Sequence, residues 1–206
     1  MSIKIKISRK PIDYNKAISY LEKKVQLLHN QKTDEFLWIL SHPNTYTAGV
    51  SSKDNEILDK KINVIKTNRG GKITWHGPGQ KVFYFAINLS KREKDIRKFV
   101  NIIEKIVIDT LKDYKIKSFA DRKNIGIWIK KNNKVEKVAA IGIKIKKWIA
   151  YHGCSININN DLRNYDKIIP CGIKNKGVTN LLKVKKQNYN NFEEVLVKNF
   201  LKSLKS

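Results

Sequence analysis

The sequence predicts a single α/β domain, spanning residues 1–206, built on a mixed β-sheet flanked by helices. Three observations carry that expectation. A length of 206 residues suits one domain with a sizeable core. An apolar content of 41% is near the globular norm and too high for a disordered chain. Period-two and period-3.6 apolar patterns follow one another without regular βαβ alternation, which favours a mixed sheet over a parallel one.

The elements follow in order. Ile3, Ile5 and Ile7 alternate with polar residues and predict an edge-like strand. Pro11 is expected to open a helix that runs to about Leu28, with Ile18, Leu21, Val25 and Leu28 at helical spacing. Glu35 to Leu40 predicts a buried strand ending at Ser41–His42–Pro43. Ile62 to Ile65 predicts a short strand leading into the glycine-rich stretch Arg69 to Gln80. Val82 to Leu89 (VFYFAINL) is the most strand-like run of the chain. Asp95 starts the clearest helix, with an apolar stripe at Ile96, Phe99, Val100, Ile103, Ile106, Val107 and Leu111. Ile125–Ile129 and Val135–Ile145 flank Lys131–Asn132–Asn133–Lys134 and predict a hairpin. Trp148 to Ile158 predicts a further strand, and Asn191 to Leu204 a closing helix.

Composition excludes several classes. Met1 to Lys10 lacks the apolar core and cleavage site of a secretory signal. No apolar run approaches the roughly 20 residues that cross a bilayer. A cytoplasmic protein without membrane insertion is therefore expected. Two cysteines, Cys154 and Cys171, and four scattered histidines do not have zinc-site spacing, so no metal is expected. The net charge of +25 raises nucleic acid as a partner, yet 37 of the 43 basic residues are lysines spread along the chain. No arginine cluster with interleaved aromatics accompanies them. Nucleic acid is accordingly not the expected partner. A solvated lysine surface from compositional bias and a docking surface for an acidic protein both remain open.

The chemistry concentrates in a few places. Arg69–Gly70–Gly71–Lys72–Ile73–Thr74–Trp75–His76–Gly77–Pro78–Gly79–Gln80 holds four of the ten glycines. Glycine lets a ligand approach the main chain, and exposed N–H groups can bind an anion or a polarised carbonyl. A glycine-rich surface turn is the plainer alternative. The spacing is neither the Walker nor the Rossmann pattern, which argues against nucleotide binding. Cys171, between Pro170 and Gly172, is expected in a tight loop that can expose a thiol, though loop cysteines are commonly inert. Cys154, in a strand-like stretch, reads as a packed small residue. Lys137 precedes an apolar run, where desolvation disfavours an ammonium group, but spacing cannot single it out among so many lysines.

The succession HPNTYTAG, RGGKITWHGPGQ, KVAAIG, HG, PCG and GVTNL resembles the lipoyl(octanoyl) transferase family. The resemblance runs from about Phe36 to Leu182, and RGGKITWHGPGQ is its most specific part. Departures are small: Trp75 stands where Tyr or Phe is expected, and Asn180 where Ser is common. The resemblance implies the fold of biotin and lipoate protein ligases and an acyl transfer that needs no cofactor. It implies octanoyl-acyl-carrier protein as donor, and lipoyl domains of 2-oxoacid dehydrogenase complexes and the glycine cleavage H protein as acceptors. Position by position, it implies that Cys171 is the acyl-accepting nucleophile and Lys137 the residue that activates it. It further implies that Arg69, Gly70, Gly71, Lys72, Ile73, Thr74, Trp75, His76, Ala140, Ile141, Gly142, Gly153, Cys154 and Ser155 line the acyl substrate. An ATP-dependent lipoate or biotin ligase of the same fold is the enzyme alternative, and a basic nucleic-acid-binding module the non-enzymatic one.

Overall fold

The computed structural model describes residues 2–170 and 177–205. Strand β1 (Ile3–Ile7) leads to helix α1 (Tyr14–His29), then β2 (Glu35–Leu40) and β3 (Thr45–Ala48). Next come β4 (Val64–Lys66), β5 (Ile73–His76), β6 (Gln80–Asn88) and helix α2 (Ile96–Asp113). The second half runs β7 (Phe119–Ala120), β8 (Ile127–Lys131), β9 (Lys134–Lys146) and β10 (Ile149–Asn157). Beyond them lie β11 (Gly177–Val178), α3 (Leu181–Val184) and α4 (Phe192–Lys205).

The main sheet has the order β1-β2-β6-β10-β9-β8-β7, with β11 added to β9. The β1–β2 and β11–β9 pairs are parallel, and the remaining neighbours are antiparallel. The sheet is mixed, as the sequence predicts. A second small sheet, β4-β3-β5, carries part of the glycine-rich stretch.

Strand β6 shows why the run VFYFAINL is apolar at almost every position. Phe83, Phe85 and Ile87 face one core with Phe99, Ile103 and Val107 of α2 and Phe200 of α4. Val82, Tyr84 and Ala86 face the opposite core with Ala17, Leu21 and Val25 of α1. A strand covered on both faces has no polar face to display.

Local chemistry sets the element ends. Helix α1 begins at Tyr14 rather than Pro11, because the Asp13 carboxylate accepts from the Lys16 N–H at 3.0 Å and caps it there. Asp95 caps α2 in the same way, from the Lys98 N–H at 2.9 Å. Between β8 and β9, Asn132 and Asn133 take φ of 47° and 59°, the left-handed pair that a two-residue hairpin needs and asparagine tolerates. The strand expected at Ile62–Ile65 falls at Val64–Lys66. Strands β3 and β5 have little local signal. Each exists because Thr45–Ala48 pairs with Ile73–His76, a long-range match that the neighbouring glycines hide. Among the described residues no helix is long and apolar enough to cross a membrane.

Candidate active site

One cavity of about 530 Å³ gathers three stretches that lie far apart in the sequence. They are Arg69–Lys72 with Thr74 and His76, Lys137 with Ala140–Ile143, and His152–Ser155. Val82, Ile96, Val100 and Ile145 add apolar wall. Glycine makes the convergence possible. A Cβ on Gly70 would lie 2.7 Å from the Ile143 carbonyl oxygen, and one on Gly142 2.9 Å from the Gly70 carbonyl oxygen. Side chains there would hold the two backbones apart.

Arg69 ties the stretch down. Its Nη2 donates to the Thr47 carbonyl oxygen at 2.8 Å and to Thr47 Oγ1 at 2.9 Å, and Nη1 donates to the Gly70 carbonyl at 3.1 Å. Strand alternation then divides β5. Thr74 and His76 line the cavity, while Ile73 and Trp75, each 1% exposed, join Tyr46, Tyr165 and Ile168 in a separate cluster. The Trp75 ring meets Tyr165 edge-on at 5.6 Å, and its indole N–H donates to Asn44. Of the fourteen substrate-lining residues the resemblance implies, Ile73 and Trp75 therefore stand outside the cavity wall, because their strand turns them to its other face.

Two histidines, His76 and His152, line the polar end, and His42 packs behind His76 with ring centroids 5.6 Å apart; all three are buried. His42 Nδ1 lies 2.6 Å from the Ile12 carbonyl oxygen, which can only accept, so Nδ1 carries the proton and Nε2 accepts from Tyr84 OH at 2.9 Å. Burial lowers His42 to about 4, and lowers His76 well below its ordinary range, with the His42 and Arg69 charges adding to the effect on His76. His152 is lowered to about 3, first by burial and then by Arg69 and Lys144. Its Nε2 meets Asn68 Oδ1 at 2.7 Å. All three are neutral at pH 7, so this end of the cavity offers hydrogen bonds rather than imidazolium charge.

Lys137 is 6% exposed and stands at the cavity wall. Its Nζ donates to the Ile125 carbonyl at 3.0 Å and lies 4.7 Å from the centre of the Trp128 ring. Cys154 also borders the cavity but is 2% exposed. Burial pushes its thiol up, against the opposing Lys137 charge, so it stays protonated and unreactive near neutral pH. Cys171 lies outside the described residues. Its flanks do not: Pro170, Gly177 and Val178 border a single cleft with Tyr165.

Sequence reasoning does not single out Tyr84, His152, Ile96, Val100 or Ile125 as cavity residues. Faint signals exist for some. Val82 and Tyr84 share one face of a strand, Ile96 and Val100 are four apart on a helix, and His152 precedes Gly153 in the HG pair. Among the described residues no cluster of three or more His, Cys, Asp or Glu is placed to hold a metal ion.

Compared with known proteins, residues 13–201 match the family described as the lipoyl protein ligase A/B catalytic domain. A protein named octanoyltransferase from Wolbachia sp. subsp. Brugia malayi (strain TRS) is 44% identical over 176 residues, covering 85% of this chain and 86% of that one. One of the same name from Ehrlichia ruminantium (strain Gardel) is 42% identical over 201 residues, covering 96% of each chain. Among solved structures, lipoate-protein ligase A bound with ATP is similar with a TM-score of 0.77 at 14% identity, covering 100% of this chain and 86% of that one. A bipartite lipoate protein ligase from Thermoplasma acidophilum also gives a TM-score of 0.77 at 14% identity, covering 100% of this chain and 84% of that one. At those identities the structures speak for the fold.

Proposed function

We propose that this chain, which belongs to the lipoyl protein ligase A/B catalytic domain family, takes an octanoyl group from acyl-carrier protein onto Cys171 and passes it to a lysine of a lipoyl domain. The enzyme is an acyltransferase. One observation supports the finer reading above the others. Residues from all three motif stretches, RGGKITWH, KVAAIG and HGCS, meet in one cavity, and Lys137 stands in its wall. The acceptors in this reading are lipoyl domains of 2-oxoacid dehydrogenase complexes and the glycine cleavage H protein, and the reaction is cytoplasmic.

The chemistry fits the residue types. A free thiol is only a few per cent thiolate at neutral pH, so a base beside it raises its reactivity. Lys137 takes the Cys171 proton, and Sγ attacks the carbonyl carbon of the donor thioester. Backbone N–H groups of the glycine-rich stretch are the donors offered to the tetrahedral oxyanion. The donor C–S bond then breaks, and the departing thiolate receives the proton from Lys137. In the second half the acceptor amine attacks the Cys171 thioester, an amide forms, and the displaced thiolate collects the proton the amine loses. An amide is more stable than a thioester, so transfer runs downhill, and no ATP enters because the acyl group arrives activated.

The test is the intact mass of the protein after incubation with octanoyl-acyl-carrier protein alone. The expected result is one octanoyl group, mapped to Cys171 and released by hydroxylamine. Full transfer activity in Cys171→Ala, or acylation that requires ATP and free octanoate, would overturn the reading.

A further inference from the structure

Gln80 closes the glycine-rich stretch, and Asn157, at the end of β10, is its cross-strand partner. Neither takes part in the proposed transfer, yet both are buried, at 1% and 4% exposure. Side chains of facing residues on paired strands lie together, and here two amides meet: Gln80 Nε2 donates to Asn157 Oδ1 at 2.8 Å. Gln80 Nε2 also donates to the Tyr165 hydroxyl at 2.7 Å, and that hydroxyl donates to Asn157 Oδ1 at 3.1 Å. On its other side Gln80 Oε1 accepts from Nδ1 of His76, in the cavity wall, at 3.3 Å.

The rest of the Asn157 amide serves a different element. Its Nδ2 donates to the Thr179 carbonyl at 2.9 Å, and the Thr179 N–H donates to the Lys137 carbonyl at 2.9 Å. That bond continues β11, where Gly177 and Val178 pair with Glu136 and Lys137. Two residues are fewer than a strand ordinarily needs to keep its place in a sheet. The Asn157 amide supplies the anchor so short a strand lacks, and Gln80 and Tyr165 lock that amide in turn. A satisfied buried polar network specifies one arrangement. The chain before Cys171 is held separately, by the Ile169 N–H on the Glu56 carbonyl at 2.8 Å and by a bridge between Ile168 and Ile57. Gly177 comes six residues after Cys171. Six residues reach about 20 Å when extended, so the point where the chain re-enters the sheet limits where the thiol can stand.

From these contacts we infer that Asn157 is a positioning residue for Cys171 and Lys137: by holding the Thr179 carbonyl it keeps the chain that follows Cys171 in register with the strand that carries Lys137. A thiol and an amine exchange a proton only at hydrogen-bond reach, so a shift of about 1 Å at β11 costs rate without altering either group. The inference rests on the reading of Lys137 as the base for Cys171.

The test is the pH profile of Cys171 alkylation by iodoacetamide, located by peptide mass. Single-turnover acylation at saturating octanoyl-acyl-carrier protein and thermal unfolding are measured alongside. The wild-type midpoint is expected at least about one unit below the 8.5 of a free thiol, because an ammonium beside a thiolate stabilises it. Lys137→Met is expected to return the midpoint to about 8.5. Asn157→Leu removes the amide at similar volume. It is expected to move the midpoint the same way and to slow acylation by roughly 10- to 100-fold, with the donor KM little changed. Tyr165→Phe leaves the bond from Asn157 to Thr179 in place and is expected to cost at most about 3-fold. Should Asn157→Leu fail to fold, Asn157→Asp is expected to show the same shift and loss. It keeps the oxygen that Gln80 and Tyr165 donate to and withdraws the N–H from Thr179. A lower unfolding temperature with wild-type profile and rate in the Leu or Asp variant refutes the inference, as do equal losses in Tyr165→Phe and Asn157→Leu. A wild-type midpoint already at 8.5 that Lys137→Met leaves unmoved overturns the base reading along with it. A lowered wild-type midpoint that Lys137→Met raises and Asn157→Leu does not overturns the inference alone.

Discussion

Val178 is the parallel partner of Lys137, and the next residue, Thr179, donates its N–H to the Lys137 carbonyl at 2.9 Å. The chain that follows Cys171 by a few residues is thus stitched to the strand that carries the lysine. Buried amides brace the stitch. Asn157 Nδ2 donates to the Thr179 carbonyl at 2.9 Å, and Gln80 Nε2 donates to Asn157 Oδ1 at 2.8 Å.

The two cysteines should behave differently. Cys171→Ala is expected to abolish the octanoyl adduct and transfer together. Cys154→Ala should leave transfer nearly unchanged and cost about 1 kcal/mol of stability for the lost buried sulfur. Mass spectrometry and denaturant titration of both variants check this; an adduct found on Cys154 would contradict it.

Lys137→Arg is expected to lose roughly 10²- to 10⁴-fold in acylation rate, since a guanidinium does not accept a proton near neutral pH. The tight wrap by Gly126 and Trp128 also leaves little room for the larger head. The measurement is the rate of Cys171 acylation, and a wild-type rate would remove the lysine from the chemistry.

Glu35 and Arg92 form a largely buried ion pair, with Arg92 Nη2 donating to Glu35 Oε2 at 2.7 Å and the Asn88 N–H donating to Oε1 at 2.8 Å. Arg92→Ala leaves the carboxylate, which is 3% exposed, without its cation. The expected loss is about 3 kcal/mol in denaturant unfolding. Activity of the folded fraction should be unaffected, as the pair lies outside the cavity lining.

Stability should fall on mild acidification. His42 and His152, lowered to about 4 and about 3, are neutral when folded and take up protons near pH 6.5 when unfolded. Between those values the unfolded state binds more protons, so stability rises with pH and is lost as pH falls below about 6.5. The slope is up to about 1.4 kcal/mol per pH unit for each histidine. Unfolding free energies measured from pH 7 to pH 5 should show it, and a flat profile would mean the rings are charged or exposed in the fold.

The basic surface is expected to serve docking of acidic partners. Complementary charge raises encounter rates, and salt screens it over a Debye length of roughly 8 Å at physiological ionic strength. Added salt should therefore lower kcat/KM with octanoyl-acyl-carrier protein and leave a small neutral octanoyl thioester little affected. Equal salt dependence for the two donors would assign the lysines to composition alone.

The fold class and most of the elements are legible in the sequence. Alternation predicts β1, near-continuous apolar runs predict β2 and β6, and the stripe from Phe99 to Leu111 predicts α2, because these patterns report directly on which faces are covered. The RGGKITWHGPGQ stretch also stands out unaided. Which of its residues meet the cavity depends on packing: Thr74 and His76 face it, and Ile73 and Trp75 turn away, because β5 packs one face against another cluster. The resemblance names Lys137 among 37 lysines, and the folded chain gives that lysine a buried place at the cavity wall. What distinguishes that residue is burial, the Ile125 carbonyl and the Trp128 ring, none of which has a mark in the KVAAIG spacing. Local periodicity records a residue's relation to its neighbours in the chain. A site drawn from three distant stretches depends on long-range strand pairing and on glycines that let backbones meet, and those appear only when the chain is folded.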